Sequence, residues 1–220
     1  MTTALAQCGR VAAVIVLCQP DEVYIGWRAS HWECRHYFAP FLPFFGKAVF
    51  FAVFFFTGLT EHTFVNTFGL GDPQLTGYVA DLLVRFVHVD SIWRLRSAQG
   101  KPLNEVAEMM VEAEVEGRSA GSTREIHRHI GDFTLFWTGT FPEALGQLRA
   151  PLTKDHLIDY SRQGKRSYWI ASQYDDEPYR EEAPVLRRLS ENFELCAFGL
   201  SQVRREWEKR DPNWQAKLIC

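Results

Sequence analysis

Hydrophobic and polar positions change their manner of alternation near residue 60. Beyond it, Leu75, Val79, Leu82, Phe86, Val89 and Trp93 recur at spacings of four, three, four, three and four, one stripe of an α-helix. Asp81, Arg85 and His88 fall on the opposite side, which the pattern turns toward water. Asp72-Pro73 opens this helix: the Asp side chain accepts from free N–H groups, and Pro lacks the donor that would be orphaned. Its end comes before Gly100. Pro102 opens a second segment with Leu103, Val106, Met110 and Ala113 inward and Glu105, Glu108, Glu112 and Glu114 outward. Ser122 and Glu125 have capping-box spacing at the head of a third helix, whose Ile126, Ile130, Phe133 and Trp137 share a stripe that stops at Gly139. Phe141-Pro142-Glu143 begins a short helical turn ending near Gly146. Thr153 caps a fourth long helix with Leu157, Tyr160, Gly164, Tyr168 and Ala171 in line. After a polar connection at Asp175–Pro178, Leu186, Leu189, Phe193, Cys196, Leu200, Val203 and Trp207 keep a strict alternation of three and four up to Asp211-Pro212.

No segment beyond residue 60 alternates with the period of two that a half-buried strand requires, and no Asn-Gly hairpin signal occurs. The pattern therefore predicts an all-α fold: a bundle of four long helices plus a short one over residues 62–210, followed by a tail at 211–220.

Residues 1–60 form an N-terminal extension of different texture. Phe38 to Phe56 holds nine phenylalanines in nineteen residues, without caps and without a helical or strand period. Around 41–59 the run is nearly long enough, at ~1.5 Å per residue, to cross a ~30 Å hydrocarbon core, and Lys47 is its single charge. Pro40, Pro43 and Gly46 interrupt its first half. Three readings follow, one of them a soluble extension. Otherwise the segment is a membrane anchor, with the N-terminus inside and the body outside because Arg28, Arg35 and Lys47 precede the most apolar stretch, or the authentic start lies downstream, at Val53 or Leu59, and the run is translated upstream sequence. The short apolar run Val11–Cys18 lacks the small-residue cleavage site of a signal peptide.

Charge narrows the partners. A formal net charge of −3 removes the basic stripe that a nucleic-acid binder carries. The basic pairs Lys165-Arg166, Arg187-Arg188 and Arg204-Arg205 alternate with acids, as a solvated surface does. The five cysteines form no CxxC pair, which fits free thiols in a reducing, cytoplasmic setting, and Cys196 falls on an apolar helix face.

The densest polar cluster is Glu125-Ile126-His127-Arg128-His129-Ile130-Gly131-Asp132. Glu125, His129 and Asp132 share one helix face, so they could offer two carboxylates and an imidazole to a metal; the competing reading is a buried His129 held by Asp132 or Glu125. Tyr160, Gly164 and Tyr168 lie on one stripe, two hydroxyl-bearing rings flanking a gap that a neighbouring helix or a small apolar ligand would fill. His129, Asp132, Tyr160 and Tyr168 are thus the candidate ligand-binding residues. No nucleophile elbow, P-loop or dinucleotide fingerprint occurs, no catalytic residue stands out and no cofactor is favoured.

The run His129-Ile130-Gly131-Asp132, followed by Thr138-Gly139-Thr140-Phe141-Pro142 and then by Asp159-Tyr160, Gly164 and Tyr168, resembles a family of uncharacterised bacterial all-helical proteins. In that family an H-x-G-D helix leads through a Ser/Thr-Gly-x-Phe-Pro turn to a helix bearing tyrosine and glycine. The resemblance covers about residues 125–205. It departs at Ser161, where a second tyrosine is expected, and it implies a helical fold without an established activity. The function expected is a protein-interaction or self-associating module, with Trp169, Tyr174, Tyr179 and Trp214 as candidate contact aromatics. The alternative is a bundle that binds a small ligand or metal near His129, Asp132 and Tyr160, with an enzymatic reaction that these residues do not name.

Overall fold

The computed structural model describes residues 54–67, 69, 71–86, 89–115 and 119–210. Its fold is all-α: among the described residues, pairing of extended chain is confined to one isolated bridge, Arg96 with Pro102. Beyond the helical stretch at 54–61, the helices of eight residues or more among the described residues are α1 (Pro73–Phe86), α2 (Val106–Ala113), α3 (Ala120–Thr140), α4 (Tyr160–Ala171), α5 (Ala183–Glu191) and α6 (Phe193–Arg210). Those of twelve or more are α1, α3, α4 and α6.

Helix α3 is the centre. Residues 129–137 are buried without exception, so both its stripe and its polar side lie inside. Helix α4 runs antiparallel along it, because Gly131 meets the Tyr168 ring and Gly164 meets Thr134. Two glycines, one on each helix, bring the backbones together. On another side Gly139 lies against Ala197 and Leu200 of α6. An aromatic core fills the remainder: Phe133 meets Trp93, Trp137 and Tyr160, and Phe136 meets Phe86 and Phe141.

Helix α1 begins as its sequence predicts, with the Leu75 amide donating to Asp72 Oδ1 at 3.1 Å, and Leu75, Val79, Leu82 and Phe86 are buried. It is described as far as Phe86, and Val89–Ile92 is helical as well. Pro102 does not open α2. Leu95–Leu103 instead folds back on itself, Ser97 N donating to Lys101 O and Leu103 N to Leu95 O, around Gly100 at φ +80°. That left-handed conformation is open to glycine at no steric cost. In α2, Met109 is buried while Met110 is half-buried. Helix α3 starts one turn before the expected capping box: Ser119 is the cap, its Oγ accepting from Ser122 N at 3.2 Å, and Glu125 is thereby free to face arginines.

The fourth helix starts late. Thr153 precedes only a 3₁₀ turn, Lys154–Leu157, and Asp159 caps α4 by accepting from Arg162 N at 3.1 Å. Leu157, expected inside, is 82% exposed. The reason is its neighbour Asp155, which turns inward and carries the segment with it. The last predicted helix is two, α5 and α6, parted at Asn192. Its stripe survives because Leu186, Leu189, Phe193, Cys196, Leu200 and Val203 are all buried across the break.

Residues 54–61 are helical and run into a π-helical turn, His62–Thr67. Phe56, Leu59 and Phe64 are buried in the same core, and Phe56 stands edge-on to Trp207 with ring centres 5.8 Å apart. The change of texture near residue 60 falls inside this run. Residues 41–53 of the anchor expected at 41–59, and the tail 211–220, lie outside the described residues. No helix among those described is long and apolar enough to cross a membrane.

Candidate functional site

Asp132 is fully buried and sits where three helices meet. Its Oδ1 accepts from Tyr78 Oη of α1 at 2.8 Å and from Tyr168 Oη of α4 at 2.9 Å. Its Oδ2 faces Arg85 Nη1 at 3.1 Å and Arg128 Nη1 at 4.0 Å. Burial by itself would push this carboxyl up, but Arg85 and Arg128, helped by the two tyrosine hydroxyls, outweigh it and hold the group below its ordinary value. Burial and the neighbouring carboxylate raise both tyrosines, so they remain hydroxyl donors.

The arginine side of this site continues to the surface. Arg128 also reaches Glu182 at 3.3 Å and Glu125 at 3.2 Å. Arg124, buried, bridges Glu125 and Glu182 and stacks 4.0 Å over the Tyr179 ring. Arg94 reaches Glu125 at 3.6 Å. Glu182, at the start of α5, thereby ties that helix to α3.

His129 turns away from Asp132. Its Nδ1 accepts from Arg94 Nε at 3.2 Å, which places the ring hydrogen on Nε2, where it donates to Ile92 O at 3.0 Å. Burial first, and the charge of Arg94 second, push the imidazole down to about 4. An unfolded chain would hold it near 6.5, so between those values the unfolded state binds more protons. The stability His129 contributes is therefore complete above pH ~6.5 and is lost as pH falls through about 4, roughly 3 kcal/mol in all. Urea midpoints measured from pH 7 to pH 4 are expected to drop steeply, and His129→Gln should flatten the profile. An equally steep profile in the variant would remove His129 as the cause.

Tyr160 belongs to a second polar centre. Its hydroxyl donates to Asp155 Oδ2 at 2.6 Å, and Asp155 also accepts from the amides of Val106 at 2.9 Å and Ala107 at 2.8 Å. A carboxylate from 49 residues away thus caps α2. Of the four candidates, Asp132 and Tyr168 are brought together, while His129 and Tyr160 are each paired elsewhere. Glu125, His129 and Asp132 are linked through arginines, Arg94 between Glu125 and His129 and Arg128 between Glu125 and Asp132, and among the described residues no three His, Cys, Asp or Glu side chains are placed to hold a metal. A pocket between Phe56, Leu83, Phe136, Leu200 and Val203 encloses about 10 Å³, near the space one water needs, and none of the four candidates lines it.

The sequence reading missed Tyr78, Arg85, Asp155 and Glu182. A local signal existed for Arg128, four residues before Asp132, and for Tyr78, at the edge of the α1 stripe. Cys196 is a buried free thiol raised to about 12 by burial, as an apolar helix position implies. Compared with protein-family models, with curated proteins and with solved structures, the chain matches none.

Proposed function

We propose that this chain is a non-catalytic helical module that acts through protein contacts, by self-association or by docking to another protein. One observation carries the reading. The polar side chains best suited to chemistry pair with each other or with the backbone inside the core, whereas Trp169, the largest side chain that exists, is half exposed. A reactive or ligand-holding group needs a free valence facing a cavity; His129, Tyr160 and Tyr168 have theirs filled, and Asp132 spends Oδ1 on two tyrosine hydroxyls while Oδ2, without a hydrogen bond, faces Arg85 and Arg128 inside the core and not a cavity. An exposed tryptophan is the kind of side chain that anchors protein interfaces.

Native mass spectrometry and sedimentation of the full chain test this. The expected species are multiples of the chain mass, or the chain with a second protein. Trp169→Ala should weaken that association about tenfold while helicity by circular dichroism stays unchanged. A bound small molecule or metal, present in the parent and missing in Asp132→Asn, would overturn the proposal in favour of a ligand-binding bundle.

A further inference from the structure

We propose that a second copy of this chain docks antiparallel along the outer face of α4, across a twofold axis passing near Trp169. This inference rests on the interaction-module reading and names its surface and partner. The outward stripe of α4 is Arg162, Arg166 and Trp169, at helical spacings of four and three, and all three are exposed, as is Gln173 two residues past the helix end. Just past the helix end, Asp175 and Asp176 are exposed as well. Arg162 and Arg166 have no ion-pair partner among the described residues, nor do Asp175 and Asp176. The charges flanking them do: Lys165 pairs with Glu194, and Glu177 with Arg180 at 3.3 Å. Asp159 is taken up as the α4 cap. What remains, in order along the chain, is two unpaired cations on the outer face of α4, a tryptophan, and two exposed anions just past the helix end.

That order runs against the helix's own field. Anions are favoured at a helix N-terminus and cations at its C-terminus, yet here the arginines occupy the first half and the aspartates follow the last turn. Within one chain the arrangement is unfavourable; across an antiparallel pair it becomes complementary. An isologous contact repeats every pairing twice. With Trp169 at the axis, Arg162 lies seven residues before it on the helix and the aspartates follow in the chain past Ala171, so each arginine end meets the partner's aspartate end. The seven helical residues from Arg162 to Trp169 span ~10 Å, which sets the reach on the arginine side. The two indole rings meet at the centre. A single twelve-residue helix offers less than the ~800 Å² per partner of a standard interface, so the dimer is weak and sensitive to salt.

Charge reversal on each half separates this register from any other. The full chain is expected to dimerise reversibly in sedimentation equilibrium over about 1 μM to 1 mM, more weakly as salt rises. Arg162→Asp with Arg166→Asp should weaken it at least ~10-fold, as should Asp175→Arg with Asp176→Arg. Mixed one to one, the two variants should associate again. A dimer indifferent to both variants, or a mixture that stays apart, would overturn this surface and leave self-association elsewhere on the chain intact. A chain monomeric at the highest concentration would overturn the docking of a second copy altogether, leaving only a different protein as the module's partner.

Discussion

Gly131→Ala is expected to destabilise the protein by about 2–3 kcal/mol, whereas Gly77→Ala should stabilise it by up to ~1 kcal/mol. Both glycines lie inside helices, so helix propensity favours alanine equally at each. Packing decides. A Cβ on Gly77 would meet nothing within 4 Å, while one on Gly131 would lie 2.6 Å from two atoms of the Tyr168 ring. That ring has nowhere to retreat: its hydroxyl is held by Asp132, and Tyr78 and Phe193 stand against it with ring centres 6.4 and 6.3 Å away. Gly164→Ala should behave like Gly131→Ala, since its Cβ would fall 2.4 Å from both Phe193 and Thr134 Oγ1. For a chain of this size the two destabilised variants should melt about 5–10 °C lower. Equal melting temperatures for Gly77→Ala and Gly131→Ala would show that α3 and α4 separate without cost, and the close helix pairing would be wrong.

The same contact shows what was legible in the sequence. The stripes from Leu75 to Phe86 and from Leu186 to Val203, the Asp72 cap and the gap at Gly164 all belong to local patterns, and each has its expected place in the fold. The pairings inside the candidate site do not, because they join distant segments. By its sequence Asp155 falls in the first turn of a helix capped by Thr153, yet it is buried by amides of Val106 and Ala107, nearly fifty residues upstream. Arg85 lies opposite an apolar stripe and reads as outward; Asp132 on α3 draws it in. Tyr160 and Tyr168 share a stripe, which suggested one rim, but eight helical residues separate them by ~12 Å. Each therefore reaches a carboxylate of its own, Asp155 for one and Asp132 for the other. Periodicity identifies the face a side chain occupies, not the partner that another segment brings to it.

Asp132→Ala should cost about 3–5 kcal/mol, a large part of the 5–15 kcal/mol that holds a typical domain folded. The loss has three sources acting together. Two buried tyrosine hydroxyls lose their acceptor, Arg85 and Arg128 lose the charge they face, and the vacated space lies under three helices. Tyr168→Phe removes one donor and leaves Asp132 bonded to Tyr78, so it should cost only ~1 kcal/mol. Asp132→Asn separates charge from shape. It keeps an oxygen for the hydroxyls but turns an amide toward Arg85, and it should fall between the other two. Because the carboxyl's folded value is depressed, its contribution is complete above the unfolded value near 3.9 and vanishes as pH falls below it. The gap between parent and Asp132→Asn should therefore close in strong acid. Urea titrations of the four proteins at neutral pH, repeated at pH 3, decide the matter. If Asp132→Ala were as stable as its parent, the carboxylate would not be a structural tie at all, and a buried charge kept without benefit to folding would point to a bound ligand.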